Sequence, residues 1–232
     1  DIFVKTVSNG NILTEKVINK IITCGIDMIE FSLDGMSIYE NDHIRIKCNG
    51  KKVIENIKLL IEKRNGLKIK KPVKIFISNT QFVRDGIELS DLDEPMCPDY
   101  IKNTLPLGYD GIAGYKTNYA MVWPHMGNIN NNFNTYRNKN DNIRNVKCDM
   151  LNSTITIRWN GEVVPCCYDL TSRLVMGNVK QESLFNIWNN SKYNLLRRSI
   201  NSKKYISICN SCSVVNQDKY LVPKWVENKN DL

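Results

Sequence analysis

Hydrophobic positions along the first third of the chain switch between two periods. Ile2 to Ser8 is a short β-rich run ended by Ser8-Asn9-Gly10. Behind Thr14, a residue type suited to an N-cap, Val17, Ile18, Ile21 and Ile22 recur at helical spacing until Gly25. Met28 to Leu33 then reads as a second strand closed by Asp34-Gly35. A second amphipathic helix runs from about Gly50 to Arg64, with Val53, Ile57, Leu60 and Ile61 on one face and Gly66 at its end. Val73 to Ser78 is a third strand. The order βαβαβ predicts parallel strands joined by right-handed crossovers.

On the second strand, Ile29, Phe31 and Leu33 form an apolar face for packing helices, while Met28, Glu30 and Ser32 point the other way. A strand buried in a doubly wound sheet is apolar on both faces. The polar second face therefore suits a barrel or half-barrel whose interior holds a ligand; the alternative is a sheet edge turned to solvent. The pattern loosens from Val83 to Leu105, and the next strand candidate is about Gly111 to Val122.

Residues 127–145 are dominated by asparagine, which hydrogen-bonds its own backbone and resists both helix and sheet. We read 127–147 as a linker between a first domain, 1–126, and a cysteine-bearing module, 148–232. In that module Ile155, Ile157 and Trp159 alternate up one arm of a hairpin, Asn160-Gly161 is a two-residue turn, and Val163 and Val164 begin the return arm. Ser183 caps a short helix with Leu184, Ile187 and Trp188 inward. A further helix from Ser191 carries Leu195, Leu196 and Ile200. Trp159 and Trp188 read as core residues.

With 232 residues, 42% of them hydrophobic, the chain can bury a sizeable core. No basic and apolar leader opens it and no run approaches a membrane span, so it reads as a cytoplasmic protein with no membrane partner. The formal charge of +8 is scattered. Its densest groups are Lys68 to Lys74 and Arg197-Arg198 with Lys203-Lys204, and no aromatic interleaving accompanies them. A solvated basic surface is favoured over a nucleic-acid partner.

Chemistry concentrates in the cysteines. Cys148 precedes the hairpin, Cys166 lies on its second arm, and Cys209-Asn-Ser-Cys212 is a CxxC pair after the helices. Four soft thiolates suit an iron–sulfur cluster or a zinc ion. Eight cysteines with no regular framework of close spacings argue against disulfides. Cys167 adjoins Cys166, and consecutive strand residues face opposite ways, so only one should ligate; we take Cys166. Cys24 reads as a small core residue, and Cys48 and Cys97 receive no function. His43 and His125, the only histidines, read as structural or surface residues. Asp169 is either an acid/base group near the metal or a backbone hydrogen-bonding residue. No catalytic residue is assigned.

Taken together, Cys148, Gly161, Cys166-Cys167-Tyr168-Asp169, Gly177-Asn178-Val179, Ser183-Leu184 with Ile187-Trp188, and Cys209-x2-Cys212 resemble the SPASM/twitch auxiliary-cluster domain of radical S-adenosylmethionine (radical SAM) enzymes. The first half resembles the later strands of the radical SAM partial barrel, through Ser8-Asn9-Gly10, Ser32-Leu33-Asp34-Gly35 and Asp42-His43-Ile44-Arg45. The resemblance implies an α/β fold, an incomplete parallel (β/α) partial barrel followed by a small α+β SPASM/twitch domain with a β-hairpin and helices. It implies that Ser32 and Arg45 hold the amino-acid end of S-adenosylmethionine with Glu30 lining the same cavity.

By the same resemblance, Cys148, Cys166, Cys209 and Cys212 ligate one auxiliary [4Fe–4S] cluster, as no further cysteine follows Cys212. The CxxxCxxC motif that holds such an enzyme's catalytic [4Fe–4S] cluster does not occur in the sequence. The expectation is therefore a fragment, inactive alone, of an enzyme in which S-adenosylmethionine yields a 5′-deoxyadenosyl radical that abstracts hydrogen from a peptide or small-molecule substrate. The auxiliary cluster would accept an electron, and flavodoxin or ferredoxin would supply reducing power. The rival reading is a non-enzymatic iron–sulfur or zinc module for electron transfer or docking.

Overall fold

The computed structural model describes residues 2–83, 93–120, 133–137, 148–210, 212 and 219–223. The chain divides into two units, Asp1–Ala120 and Met121–Leu232. The first contains strands β1 (Lys5–Ser8), β2 (Met28–Ser32), β3 (Lys74–Gln81) and β4 (Gly114–Tyr119). Its helices are α1 (Glu15–Thr23), α2 (Ile38–Ile44), α3 (Gly50–Asn65) and α4 (Asp99–Lys102). All strand pairs are parallel and the spatial order follows the sequence, β1-β2-β3-β4. A sheet wound in one direction by right-handed crossovers carries its helices on one face. The core lies there: Ile18 and Ile22 of α1 and Val53, Ile57 and Leu60 of α3 pack with Ile29, Phe31, Ile75 and Ile77 of the sheet.

The other face is the one expected to be polar. Register sets Glu30 beside Phe76 and Ser32 beside Ser78, all with side chains turned away from the helices. Glu30, at 9% exposure, forms an ion pair with Lys5 of the neighbouring strand. The α/β partial-barrel reading thus holds as a singly wound parallel sheet with an open polar face.

Local signals set the helix starts. Thr14 accepts from the Val17 amide at 3.4 Å, and Asn49 accepts from Lys52 at 3.0 Å at the start of α3. Gly10 sits at φ +70°, and a Cβ there would stand 2.7 Å from Val53 Cγ1, so the β1–α1 turn needs glycine to lie against α3. Helix α2 was not expected, because its sequence is mostly polar. Ser37 caps it, and it holds by tertiary contact: Asn41 is fully buried and accepts from the Asp34 amide at 2.9 Å. Arg64 is buried and, among the described residues, forms no ion pair. Its guanidinium donates to the carbonyls of Tyr109 (3.2 Å) and Gly111 (3.1 Å), and burial pushes its pKa down.

The second unit contains strands β5 (Phe133–Arg137), β6 (Thr156–Ile157), β7 (Glu162–Val164), β8 (Gly177–Asn178) and β9 (Lys219–Pro223). Its helices are α5 (Met150–Ser153), α6 (Leu184–Asn189), α7 (Ser191–Asn201) and α8 (Ser207–Asn210). Strands β6-β7-β8 form an antiparallel sheet. Inside the asparagine-rich stretch expected to resist sheet, β5 pairs antiparallel with β9. Ladder bonds to a strand distant in sequence outcompete the local asparagine bonds there, a partner no local pattern announces.

Three further expectations are corrected. The hairpin turn is not a two-residue one. The Arg158 amide bonds Glu162 O at 2.8 Å and the Gly161 amide bonds Arg158 O at 2.9 Å, with Gly161 at φ +89°, so Trp159, Asn160 and Gly161 form a three-residue tip with glycine in the left-handed position. Trp159 is consequently 96% exposed, not core, while Trp188 is partly buried. Cys24 is also exposed at the end of α1, just beyond the buried stripe of Ile18 and Ile22. His125 lies outside the described residues, and His43 stacks on Tyr39 with ring centroids 6.4 Å apart.

Among the described residues no helix is long and apolar enough to cross a membrane. Buried Asn79 donates to the carbonyls of Leu33 (2.7 Å) and Gly35 (2.9 Å) at the end of β2. Asn79→Ala leaves both without that donor and is expected to cost about 3 kcal/mol, read from urea unfolding with an unchanged m-value.

Candidate metal centre

The second unit gathers cysteines from three separate segments. Cys148 lies immediately before α5, Cys166 follows β7, and Cys209 and Cys212 sit in and after α8. The anchor is a small core in which Leu151, Val163, Met176, Ile187, Tyr193 and Leu196 pack together, with Cys212 buried among them and Cys148 and Cys209 half-buried against it. All four thiols line one pocket, walled otherwise by residues such as Leu151, Pro165, Leu196 and Ile208. Cys167 is exposed and is not part of that wall. No disulfide links any of the eight cysteines.

The electrostatics follow from this burial. Burial pushes the Cys209 thiol up to about 12, with Cys212, Cys166 and Cys148 adding further upward pressure. Burial likewise raises Cys166 to about 11, while the backbone N–H groups of Tyr168 and Asp169, hydrogen-bonded to its sulfur, pull the other way. Thiols that raise one another's pKa compete for negative charge in one low-dielectric space, and a cation or cationic cluster relieves that competition. Among the described residues, no three His, Cys, Asp or Glu side chains are already arranged as a site for a single metal ion. The donor set, four soft sulfurs in an apolar pocket, fits an iron–sulfur group.

The Cys166–Leu174 segment owes its course to Asp169. Its carboxylate, on a residue 2% exposed, accepts from the amides of Arg173 (2.9 Å) and Leu174 (2.8 Å), and its carbonyl accepts from Arg158. Of the two roles open for Asp169, the structure supports backbone hydrogen bonding. Sequence reasoning missed Arg197, taken as part of a basic surface. Its guanidinium is partly buried over Trp188, 4.3 Å from the ring centroid. The apolar residues on either side of it, Leu196 and Tyr193, were the available signal.

In the first unit, Glu30 and Ser32 share the open face of β2. Arg45, just past α2, pairs with Asp34, which follows β2 by two residues: its Nε lies 2.7 Å from Asp34 Oδ2, an ion pair without the alignment of a hydrogen bond. Asp34 also accepts from the Thr80 amide at 3.0 Å. The three residues thus lie on and around the carboxyl end of β2, where open parallel sheets bind ligands.

Residues 148–213 match the SPASM family, described as an iron–sulfur cluster-binding domain. That match lies in the second unit, and the likeness to radical SAM proteins of the SPASM type is borne out. The chain is 24% identical over 243 aligned residues to the tungsten-containing aldehyde ferredoxin oxidoreductase cofactor-modifying protein of Pyrococcus furiosus, covering 89% of this chain and 64% of that protein. It is 26% identical over 81 residues to the S-adenosyl-L-methionine-dependent 2-deoxy-scyllo-inosamine dehydrogenase of Niallia circulans, covering 33% of this chain and 32% of the enzyme. The chain thus spans less than two thirds of the length of these curated relatives. Among solved structures, Streptococcus suis SuiB bound to precursor peptide SuiA is similar at 13% identity and a TM-score of 0.46, over 91% of this chain and 53% of that one.

Removing the Asp169 carboxylate tests the segment's geometry. Asp169→Ala strips two buried amides of their acceptors and is expected to lower stability by about 2 kcal/mol in urea unfolding. Asp169→Asn, which keeps one carboxamide oxygen, recovers part of the loss.

Proposed function

We propose that Cys148, Cys166, Cys209 and Cys212 hold one auxiliary [4Fe–4S] cluster, and that the protein carrying this chain is a radical SAM enzyme. It would act by hydrogen abstraction on a peptide or a small alcohol or sugar, with the auxiliary cluster as electron acceptor. The observation that carries the reading is the convergence of four thiols on one apolar pocket within a segment that matches an iron–sulfur domain. When bound, such a cluster supplies a one-electron acceptor whose potential is set by burial and by hydrogen bonds to its sulfurs. The chain's own part is to hold it: the hairpin presents Cys166, the Tyr168 and Asp169 amides face that sulfur, and the apolar wall limits access of water.

For S-adenosylmethionine, Arg45 offers a guanidinium to the amino-acid carboxylate, and Ser32 and Glu30 offer a hydroxyl and a carboxylate from the adjoining strand face. The S-adenosyl-L-methionine dependence of the Niallia circulans relative supports this cofactor. That relative's being a 2-deoxy-scyllo-inosamine dehydrogenase supports the small-alcohol class of substrate. A flavodoxin or ferredoxin in the reduced cytoplasm is the proposed electron donor.

Iron, acid-labile sulfide and zinc are to be measured on anaerobically prepared protein. About four irons and four sulfides per auxiliary site are expected, lost in Cys209→Ala/Cys212→Ala and in Cys166→Ala but kept in Cys167→Ala. One zinc without sulfide would overturn the redox reading. For the cofactor, equilibrium dialysis of S-adenosylmethionine against the complete protein is expected to show Arg45→Ala weakening binding about tenfold or more, the worth of a hydrogen bond to a charged group. Unchanged affinity would remove Arg45 from the site.

A further inference from the structure

Two neighbouring residues of α7, Arg197 and Tyr193, reach two of the cysteine-bearing segments from outside the thiol pocket. Arg197 Nε donates to Leu151 O at 3.2 Å, and Nη1 donates to Trp188 O at 2.8 Å. Leu151 belongs to α5, which follows directly on Cys148, and its side chain is part of the pocket wall. The guanidinium carbon also lies 5.0 Å from the ring centroid of Tyr193, a residue with no exposed surface. The Tyr193 hydroxyl in turn donates to Val164 O at 3.3 Å, at the end of β7, two residues before Cys166. Leu196, next to Arg197 on α7, lines the pocket as well.

The arrangement is costly unless it serves something. Arg197 Nη2 is buried with no hydrogen-bond partner among the described residues, and no described carboxylate pairs with the group. A buried guanidinium nitrogen without a partner is disfavoured, and the faces of two aromatic rings offset only part of that. A negatively charged group behind the adjoining wall would offset more, and a thiolate-ligated cluster is such a group.

We propose that Arg197 is a positioning residue of the iron–sulfur site, bracing the Cys148 segment against α6 and α7, packing over the Tyr193 that holds the Cys166 segment, and placing a fixed positive charge behind the pocket wall. The inference rests on the cluster reading given above. The fork of the guanidinium fixes Leu151, and with it the Cys148 segment, against the end of α6 at Trp188. Its charge favours the reduced, more negative state of the cluster and so raises the reduction potential.

Arg197→Met, Arg197→Lys and Tyr193→Phe in the whole chain, reconstituted anaerobically, separate the two roles. The readouts are the rate of iron loss to a chelator, the midpoint potential from a dye-mediated titration, and the far-UV circular dichroism of each apo-protein. Arg197→Met is expected to lose iron about tenfold faster, as outer-shell changes do, and to shift the potential to a more negative value. Arg197→Lys keeps the charge but cannot span both carbonyls, so its iron loss accelerates while its potential stays near that of the unaltered chain. Tyr193→Phe speeds iron loss without moving the potential.

Arg197→Met with unaltered iron retention and potential would overturn the proposal. So would loss of helical signal in both apo Arg197 variants, which would make Arg197 a residue of the fold alone. If the unaltered chain itself takes up no iron and sulfide, the cluster reading fails first and the inference falls with it. A loaded chain with indifferent Arg197 variants sinks only the inference.

Discussion

Four thiols drawn from three segments into one apolar pocket set the terms for the second unit. Each sulfur would rather ionise in water, and burial beside the others drives Cys166 and Cys209 well above the usual thiol range. Such a cluster of soft donors has to be held together by contacts that do not involve the sulfurs. The hairpin register that brings Val163 into the core, Asp169 tethering the loop after Cys166, and α7 packing Tyr193 and Leu196 inward supply those contacts. The same burial that disfavours ionised thiols makes the site selective for a charged centre that binds them as thiolates.

The first unit solves a different problem. Its sheet buries one face under helices, so the polar residues of the other face and of the strand ends need partners within reach. At the carboxyl end of β2 these partners form a network: Asn79 holds the Leu33 and Gly35 carbonyls, Gln81 donates to Asn79 at 2.8 Å, Tyr100 donates to Asp34 O at 3.0 Å, and Asn41 holds the Asp34 amide. Buried polar groups satisfied in this way give a rigid end to the strand. Arg45 is then set beside Asp34 with its orientation limited.

Most regular elements of the first unit were legible because their stabilisation is local and periodic: a cap at Thr14, an apolar stripe on α3, alternation on β2. Helix α2 was not, since its polar sequence becomes helical only when Asn41 can be buried against the Asp34 turn. Strand β5 escaped notice because its partner β9 is distant in sequence. Trp159 misled through its alternation with Ile155 and Ile157, because a three-residue tip takes its side chain out of the strand pattern. The cysteines were legible as a set by spacing and composition. Arg197 was hidden in a run of basic residues whose burial depends on α6 and α5 packing around it.

Sequence by itself determined the chemistry available here: soft ligands in a SPASM pattern, a parallel βα order, and a strand with one polar face. These follow from residue type and from periods of two and 3.6 residues, which act over short stretches of chain. Tertiary structure alone decided which cysteine of the adjacent pair faces the pocket, that Asp169 serves the backbone, and that Arg197 lies inside rather than on the surface. Those outcomes depend on burial and on contacts between segments distant in sequence, and neither has a local signature.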